Sequence, residues 1–240
     1  MLTSCSGGSS SLLVSRTTGN LDRPMRLDIF TLIPGAFEWM KERRPVAAML
    51  GNGLELNVYN YRDTTPLSAG QVDDEPYGGG RGMVLRVDVV SAAFQAVYGG
   101  VPGNRVVALS PAGRLLDQEL VEELAAEPAL TLLSARFEGF DQRILDHLST
   151  DAVSIGPYVL SGGEIPALAV VDAVVRRLPG ALTEGSAEVE SFSAALNGGL
   201  EYPHYTRPAD FRGWQVPEIL VSGDHGRIAS WRQEMVRSVT

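Results

Sequence analysis

Apolar and polar residues follow each other along the chain in short blocks that predict alternating strands and helices. Blocks with the character of strands are found at 26–32, 54–61, 105–109, 129–134 and 151–155. Blocks with helical character are found at 36–50, where Pro45 must kink or split the helix, at 87–98, at 117–126, in a segment ending near 148, and after 166. Strands that alternate with helices predict an α/β fold, a mostly parallel sheet flanked by helices on both faces.

The stretch 155–180 combines a strand end, a Gly-Pro turn, a glycine-rich loop and an apolar helix. Gly162 and Gly163 have no Cβ, so backbone amides can approach a ligand closely there. Pro166 suits the first turn of the helix, where its missing N–H costs nothing. The helix is apolar on nearly every face, which predicts burial, at Leu168, Val170, Val171, Val174, Val175 and Leu178. The stretch is either an ordinary strand-to-helix connection or a loop shaped for a small ligand, and it matches neither the dinucleotide nor the P-loop fingerprint.

Three predicted strands end in loops that contain glycine or proline, at Ser110, Ala135 and Gly156. Ligands in parallel sheets bind beyond the carboxyl ends of the strands, so these loops predict a ligand site. The polar segment 62–82 is long for a loop inside a compact domain, which is typical of functional or mobile segments. A flexible connector is the other interpretation of that segment.

Composition divides the chain into four parts. Residues 1–24 are rich in Ser, Gly and Thr, and their apolar run is too short for a signal peptide, so we expect a disordered leader or a start codon assigned too early. We predict that residues 25–180 form the main domain and that residues 181–199 are a flexible interdomain linker. Residues 200–240 are too few for an independent core and must pack on the main domain or on a second subunit.

The last helix is predicted to begin after an Asp224 cap and to end near residue 238. One face of this helix carries the apolar residues Ile228, Trp231, Met235 and Val239. Arginines flank that face without forming a single basic stripe, so RNA contact by the helix is one interpretation of it.

Charge and cysteine content limit the function classes. The chain has 240 residues and a net charge of −9, which by itself argues against a nucleic-acid partner. Lys41 is the only lysine among 20 basic residues, and arginine binds phosphate bidentately and stacks on bases, although genome base composition would give the same bias. No apolar run approaches the ~18 residues of a membrane span. The single cysteine, Cys5, excludes an internal disulfide and points to a reducing compartment.

Several sequence blocks occur in one order: MRLDIFTLIPGAF, DDEPYGGGRGMV, SPAG, RFEGFDQR, GPYVLSGGEIPAL and YPHYTRPADFRGWQVPEILVSGDHGRI. From about Met25 to the C-terminus, the chain resembles bacterial tRNA (guanine-N1-)-methyltransferases, a branch of the SPOUT class. The resemblance implies a trefoil knot near 110–170 and a small, mainly helical, tRNA-contacting domain at 200–240. It also implies a cytoplasmic homodimer that transfers a methyl group from S-adenosylmethionine (SAM) to N1 of the guanosine immediately 3′ of the tRNA anticodon.

The resemblance assigns the cofactor contacts residue by residue. Positions that match the family's SAM pocket are Leu109, Ser110, Pro111, Gly113, Ala135, Phe137, Gly139, Ile155, Gly156, Pro157, Tyr158, Val159, Leu160, Gly162, Gly163 and Pro166. Ala135 stands where the family usually has Gly, and an alanine methyl is tolerated there if φ is negative. Phe137 stands where Tyr is usual, which keeps the stacking face and loses a hydroxyl.

Methyl transfer to guanine N1 needs a base for the N1 proton and a positive or hydrogen-bonding group for the charge that develops on O6. The resemblance implies Glu138 as the guanine-site acid, Arg176 as the catalytic arginine and Glu190 as the base, in place of the family's aspartate. Each residue also has a structural interpretation. Glu138 and Glu190 would then be solvated acids, and Arg176 a charge that complements the helix dipole.

The resemblance further implies assistance by Mg²⁺, but the sequence offers no dedicated metal site. The three histidines are scattered without metal-ligand spacing, at positions 147, 204 and 225. The carboxylates closest to the predicted chemistry are Asp73, Asp74, Glu138 and Glu190.

Two other functions remain open from the sequence. One is a SPOUT methyltransferase for a different RNA target, against which the blocks PYGGGRGM and YPHYTRP argue. The other is a catalytically impaired tRNA-binding module, for which the replacement of the family's aspartate by Glu190 is the only support.

Overall fold

The computed structural model describes residues 24–183, 186 and 189–238. Its strands are β1 Met25–Thr31, β2 Leu54–Asn60, β3 Asp73–Asp74, β4 Val84–Leu85, β5 Arg105–Leu115, β6 Ala129–Leu133, β7 Asp151–Ser154, β8 Asp210–Phe211 and β9 Trp214–Gln215. Its α-helices are α1 Glu38–Lys41, α2 Val46–Met49, α3 Val87–Tyr98, α4 Gln118–Ala125, α5 Gln142–His147, α6 Glu164–Val175, α7 Glu218–Val221 and α8 His225–Glu234.

The central sheet contains five strands in the order β2-β1-β6-β5-β7, and every pairing in it is parallel. Neighbouring residues of one strand belong to different apolar clusters: Ile29 packs with α6, whereas Phe30 packs with α3. Because successive side chains of a strand point to opposite faces, the two clusters lie on opposite sides of the sheet. The predicted α/β fold, with a parallel sheet covered on both faces, is confirmed.

The apolar pattern predicted the individual elements well where the signal is local. The helix predicted at 87–98 coincides with α3, whose left-handed Gly99 ends it. The predicted interruption at Pro45 separates α1 from α2. Helix α6 buries Val170, Val171, Val174 and Val175 as predicted. Leu168, which was also predicted to be buried, is only half-buried, because it packs at the margin of the apolar cluster.

Two predicted elements differ from the structure. Strand β5 does not end at residue 109, because it resumes beyond the Ser-Pro-Ala-Gly turn and continues to Leu115. Helix α8 begins after the predicted Asp224 cap but ends at Glu234, not near 238. Val239, predicted on its apolar face, lies outside the described residues, as does the leader up to residue 23.

The segment 62–82 has structure of its own. Short 3-10 turns occupy Tyr61–Asp63 and Ser68–Gly70, and β3 pairs antiparallel with β4 beyond them. Residues 200–238 contain two short helices and the β8–β9 hairpin, and none of these described residues is buried. The described part of this segment therefore has no core of its own. Within the described ranges, no helix has both the length and the apolar character needed to cross a membrane.

Candidate active site

The sheet order places three strand ends side by side. Strands β6, β5 and β7 are neighbours, and the loops that follow their carboxyl ends line one cleft. The residues that line it are Leu109, Ser110, Pro111, Ala135, Arg136, Phe137, Glu138, Gly139, Val153, Ser154, Ile155, Gly156, Tyr158, Val159, Leu160, Gly162, Gly163 and Pro166. The position agrees with the general rule for ligands in parallel sheets.

The first wall of the cleft is a short excursion of β5. Val153 of β7 pairs with both Leu109 and Arg114, so residues 110–113 project out of the sheet between two stretches of regular pairing. A Cβ at Gly113 would collide with the backbone of residues 152–153. Gly113 therefore serves the crossing of two chain segments, and it does not line the cleft.

The second wall is the turn after β7. Ser154 Oγ donates to the Gly156 carbonyl at 3.0 Å and accepts from the Gly156 amide at 3.3 Å, which closes the turn. The Tyr158 ring covers Gly156, where a Cβ would overlap it, and the Tyr158 hydroxyl donates to the Ile155 carbonyl at 3.1 Å. Pro157 lies in this turn but is not among the lining residues.

The third wall is the glycine-rich loop before α6, which is fixed to the end of β6. The Gly163 amide donates to the Ala135 carbonyl at 2.7 Å, and Ser134 Oγ donates to the Gly163 carbonyl at 3.1 Å. A Cβ at Gly163 would lie 2.7 Å from Ser134 Cα. Backbone amides at Gly162 and Gly163 were expected to approach a ligand, whereas the Gly163 amide holds the loop against the strand.

The loop 135–139 forms the remaining wall and carries Glu138. Ala135 is buried and has no positive φ, so its methyl group is compatible with the site. Phe137 adopts φ 61°, the left-handed region that non-glycine residues rarely occupy. The Glu138 amide donates to the Met83 carbonyl at 2.9 Å, and a Cβ at Gly82 would collide with the Glu138 carboxylate. The glycine run of the segment 62–82 therefore ends beside Glu138.

Every predicted cofactor contact lines the cleft except Gly113 and Pro157. Three lining residues were not predicted: Arg136, Val153 and Ser154. Arg136 lies inside the block RFEGFDQR, between two predicted contacts, and its position there was the available signal. Val153 and Ser154 belong to β7, beside the excursion of β5.

A buried carboxylate stands behind the glycine-rich loop. Glu164, the first residue of α6, accepts a hydrogen bond from Thr31 Oγ1 at 3.0 Å and lies 3.5 Å from Arg136 Nη1. The nearby Tyr61 is fully buried, and its hydroxyl has no hydrogen-bond partner among the described residues. Burial raises the pKa of Tyr61 well above its ordinary value, and the Glu164 charge raises that pKa further.

The predicted base and arginine meet at the other end of α6. Arg176, which caps this helix, forms an ion pair with Glu190, and Arg177 Nη1 lies 3.3 Å from the other Glu190 oxygen. Arg177 Nε also lies 2.7 Å from Glu122 of α4. Neither Glu190 nor Arg176 lines the cleft. Because α6 has 12 residues, its two ends are about 18 Å apart at 1.5 Å per residue.

Metal ligation finds no support in the geometry. Across the described parts of the chain, no group of three or more His, Cys, Asp or Glu side chains is arranged to hold an ion. His204 contacts Glu201 at 3.1 Å, an ordinary local pair. A Mg²⁺ site built from protein side chains alone does not fit these residues.

The segment 200–238 presents aromatic and arginine side chains to solvent. Arg212 lies over the Phe211 ring at 5.1 Å, and Arg232 lies over the Tyr202 ring at 4.9 Å. Trp214 is 72% exposed. Flat aromatic and guanidinium groups in one exposed segment are suited to stacking on unpaired bases of RNA.

Comparison with known proteins connects this geometry to a family. The sequence profile of the family described as "tRNA (Guanine-1)-methyltransferase TrmD" matches residues 25–240. The chain is 48% identical over 216 residues to the tRNA (guanine-N(1)-)-methyltransferase of Brevibacillus brevis, covering 87% of this chain and 85% of that protein. It is 46% identical over 212 residues to the corresponding protein of Geobacillus kaustophilus, covering 88% and 86% of the two chains. The chain therefore belongs to the tRNA (guanine-1)-methyltransferase family.

Proposed function

We propose that this protein is a SAM-dependent methyltransferase that methylates N1 of the guanosine immediately 3′ of the tRNA anticodon. The observation that carries the proposal is the cleft at the ends of β6, β5 and β7. Its lining includes all the positions that match the family's SAM pocket, apart from Gly113 and Pro157. Membership of the family supports the target base and the tRNA substrate.

The cleft suits the donor by its chemistry. When bound, SAM supplies an electrophilic methyl group on a sulfonium. Apolar side chains such as Leu109 and Leu160 line the walls, together with backbone groups of the turn 155–160. Binding sites of this kind hold a ligand by shape and apolar contact, with a few polar groups that fix its orientation.

The residues at the end of α6 would handle the guanine. Glu190 is the proposed acceptor of the N1 proton, and Arg176 the proposed partner of the charge that develops on O6. Glu138, at the cleft itself, would hold the guanine edge. Arg177 contacts both Glu190 and Glu122. It would therefore keep the Glu190 carboxylate in place when Arg176 moves to contact the guanine.

In a single chain the cofactor cleft and the proposed catalytic pair are far apart, and a dimer would bring them together. The cofactor loop and the Arg176–Glu190 pair lie at opposite ends of α6, about 18 Å apart by helix rise. Methyl transfer requires contact between donor and base, so a second copy would supply one of the two halves. We therefore propose a homodimer in which the cleft of one protomer works with the Glu190 of its partner.

The tRNA would dock on the exposed aromatic and arginine groups of residues 200–238. The cytoplasm is the proposed compartment, because tRNA is the substrate and the single cysteine needs no oxidising environment. The two alternative hypotheses are a methyltransferase for a different RNA target and a catalytically impaired tRNA-binding module. They predict different outcomes in the following assay.

Unmodified tRNA transcript with guanosine 3′ of the anticodon should gain 1-methylguanosine when incubated with the protein and SAM. Nucleoside mass spectrometry after digestion measures the product. A matched transcript with adenosine at that position should gain none. Methylation of both transcripts, or at another site, would favour a different RNA target.

The free protein should also melt at a higher temperature with S-adenosylhomocysteine, because a ligand that binds only the native state stabilises it. Ligand binding without methyl transfer would support the catalytically impaired tRNA-binding module. If the protein shows neither ligand binding nor methyl transfer, the proposed enzymatic function is wrong.

Mixed dimers should reveal whether the active site is shared. Glu190→Gln removes the base but keeps the cleft, and Leu160→Arg places a charge in the cleft but keeps the base. If the site is shared, a mixed dimer has one complete site, so exchanging subunits between these two inactive variants should restore methyl transfer. Activity of the mixture, compared with each variant alone, measures this effect. A mixture as inactive as its components, or light scattering that shows a monomer, would contradict the shared site.

A further inference from the structure

Arg136 occupies a distinctive position in the cleft. Among the described residues that line it, Arg136 is the single cation, and Glu138 is the single anion. The Arg136 side chain is 35% exposed, and it lies across Gly162, where a Cβ would come within 3.1 Å of Nη1. A positive charge half-enclosed in a cleft of apolar side chains calls for an anionic partner.

Glu164 holds Arg136 from behind but satisfies only part of its hydrogen-bonding capacity. One Glu164 oxygen accepts from Thr31, and the other lies 3.5 Å from Arg136 Nη1. Arginine carries five N–H donors in a planar fork. No other acceptor in the described part of the chain bonds the Arg136 guanidinium. The other donors of the guanidinium therefore remain available, and Arg136 lines the cleft.

The buried Glu164 is itself well supported, so it can act as an anchor. Its side chain is only 8% exposed. Burial of a carboxylate is costly unless donors and positive charge surround it. Thr31, Arg136 and the positive end of the α6 dipole supply these, and the neutral Tyr61 hydroxyl adds no competing charge. Glu164 contacts the guanidinium through Nη1 alone, so the other donors of Arg136 are free to bind a ligand.

We propose that Arg136 binds the α-carboxylate of the methyl donor, and that Glu164 is a positioning residue that orients the Arg136 guanidinium for it. The proposal rests on the proposed function, which identifies the donor as SAM. A guanidinium and a carboxylate form a paired, charge-assisted contact. The donor's sulfonium and ammonium are positive, so its carboxylate is the one group that this cation can recognise. A tRNA phosphate is the competing anion, and the experiment separates the two.

The test compares two ligands by isothermal titration calorimetry on the full-length protein. S-Adenosylhomocysteine carries the carboxylate, whereas its decarboxylated analogue keeps the amine and lacks only that group. Arg136→Gln should weaken binding of S-adenosylhomocysteine about tenfold to hundredfold, the effect of losing a hydrogen bond to a charged group. The same variant should bind the decarboxylated analogue within about twofold of wild type, because that ligand never used Arg136.

Glu164→Gln should reproduce the selectivity more weakly. Glutamine still accepts from Thr31 but no longer attracts the guanidinium, so S-adenosylhomocysteine should lose severalfold in affinity and the analogue little. The double variant should bind S-adenosylhomocysteine no more weakly than Arg136→Gln alone, because Glu164 acts through Arg136. Arg143→Gln is the matched control. Arg143 belongs to the same sequence block, is 58% exposed and pairs with Asp141 outside the cleft.

The contrary results are distinct. Equal weakening of both ligands in Arg136→Gln would make Arg136 a structural residue of the cleft and overturn the proposal. Unchanged affinity for S-adenosylhomocysteine with a raised KM for tRNA would assign Arg136 to the RNA. If the wild-type protein binds neither ligand, the proposed function itself is wrong. That result is distinguishable from the two outcomes for Arg136→Gln.

Discussion

Glu190→Gln should lower the rate of methyl transfer by roughly 10²–10⁴-fold, the usual contribution of a positioned general base. Glutamine has the shape of glutamate and can still contact Arg176 and Arg177, but it cannot take the N1 proton. A group that acts in the transition state can be removed with little effect on ground-state binding. The affinity for S-adenosylhomocysteine should therefore stay unchanged. Single-turnover kinetics on tRNA transcript and calorimetry measure the two quantities.

Two variants make the result specific for Glu190. A second cavity, separate from the cleft, is lined by both Glu190 and Glu119 of α4. Glu119 is 82% exposed, so Glu119→Gln should leave the rate unaffected. Glu190→Asp restores the family's residue and should retain activity; a rate below wild type would show that its shorter reach does not match this linker. A Gln variant within about threefold of wild type is far below the contribution of a base and would make Glu190 a linker acid. Glu138 would then be the next candidate.

Arg176→Ala should lower the rate of methyl transfer by about 10²–10³-fold, the range measured for removing one donor to a developing oxyanion. Lysine at this position should rescue the rate poorly, because a planar fork of donors is replaced by a point charge. The comparison of kcat with KM for tRNA is informative here. A loss confined to kcat is expected if Arg176 acts on O6 in the transition state.

Arg177→Ala provides the matched control for Arg176, because both arginines contact Glu190 and follow each other in the chain. Arg177 is also tied to Glu122, so its role is to hold the carboxylate and its loss should cost less than that of Arg176. Equal and small effects of the two substitutions would show that both arginines only anchor the linker.

Local signals explain what the sequence predicted well. Proline at position 45 forbids a continuous helix, and Gly99 favours the left-handed conformation that ends α3. The apolar sequence of α6 has no polar face to expose, so it had to be a buried helix. The neighbouring loops at three strand ends followed from a general property of parallel sheets.

Other features depend on contacts between distant parts of the chain. The return of β5 to the sheet after residue 113 depends on its pairing with β7, which the local pattern of Ser-Pro-Ala-Gly does not contain. Arg136 was missed because its partner, Glu164, is 28 residues away. Glu190 lies far from the cleft because α6 separates them and because other loops line the cleft. The local sequence does not show which loops come together in the folded chain.

The exposure of Trp214 makes the protein a natural optical probe of its own substrates. The chain has three tryptophans, and none is among the residues that line the cleft. Two of them, Trp214 and Trp231, belong to the segment that would meet RNA. Stacking of a base on an exposed indole alters its emission, whereas the aromatic residues that line the cleft are Phe137 and Tyr158. Intrinsic fluorescence can therefore follow RNA docking separately from occupation of the cleft, without attaching any label.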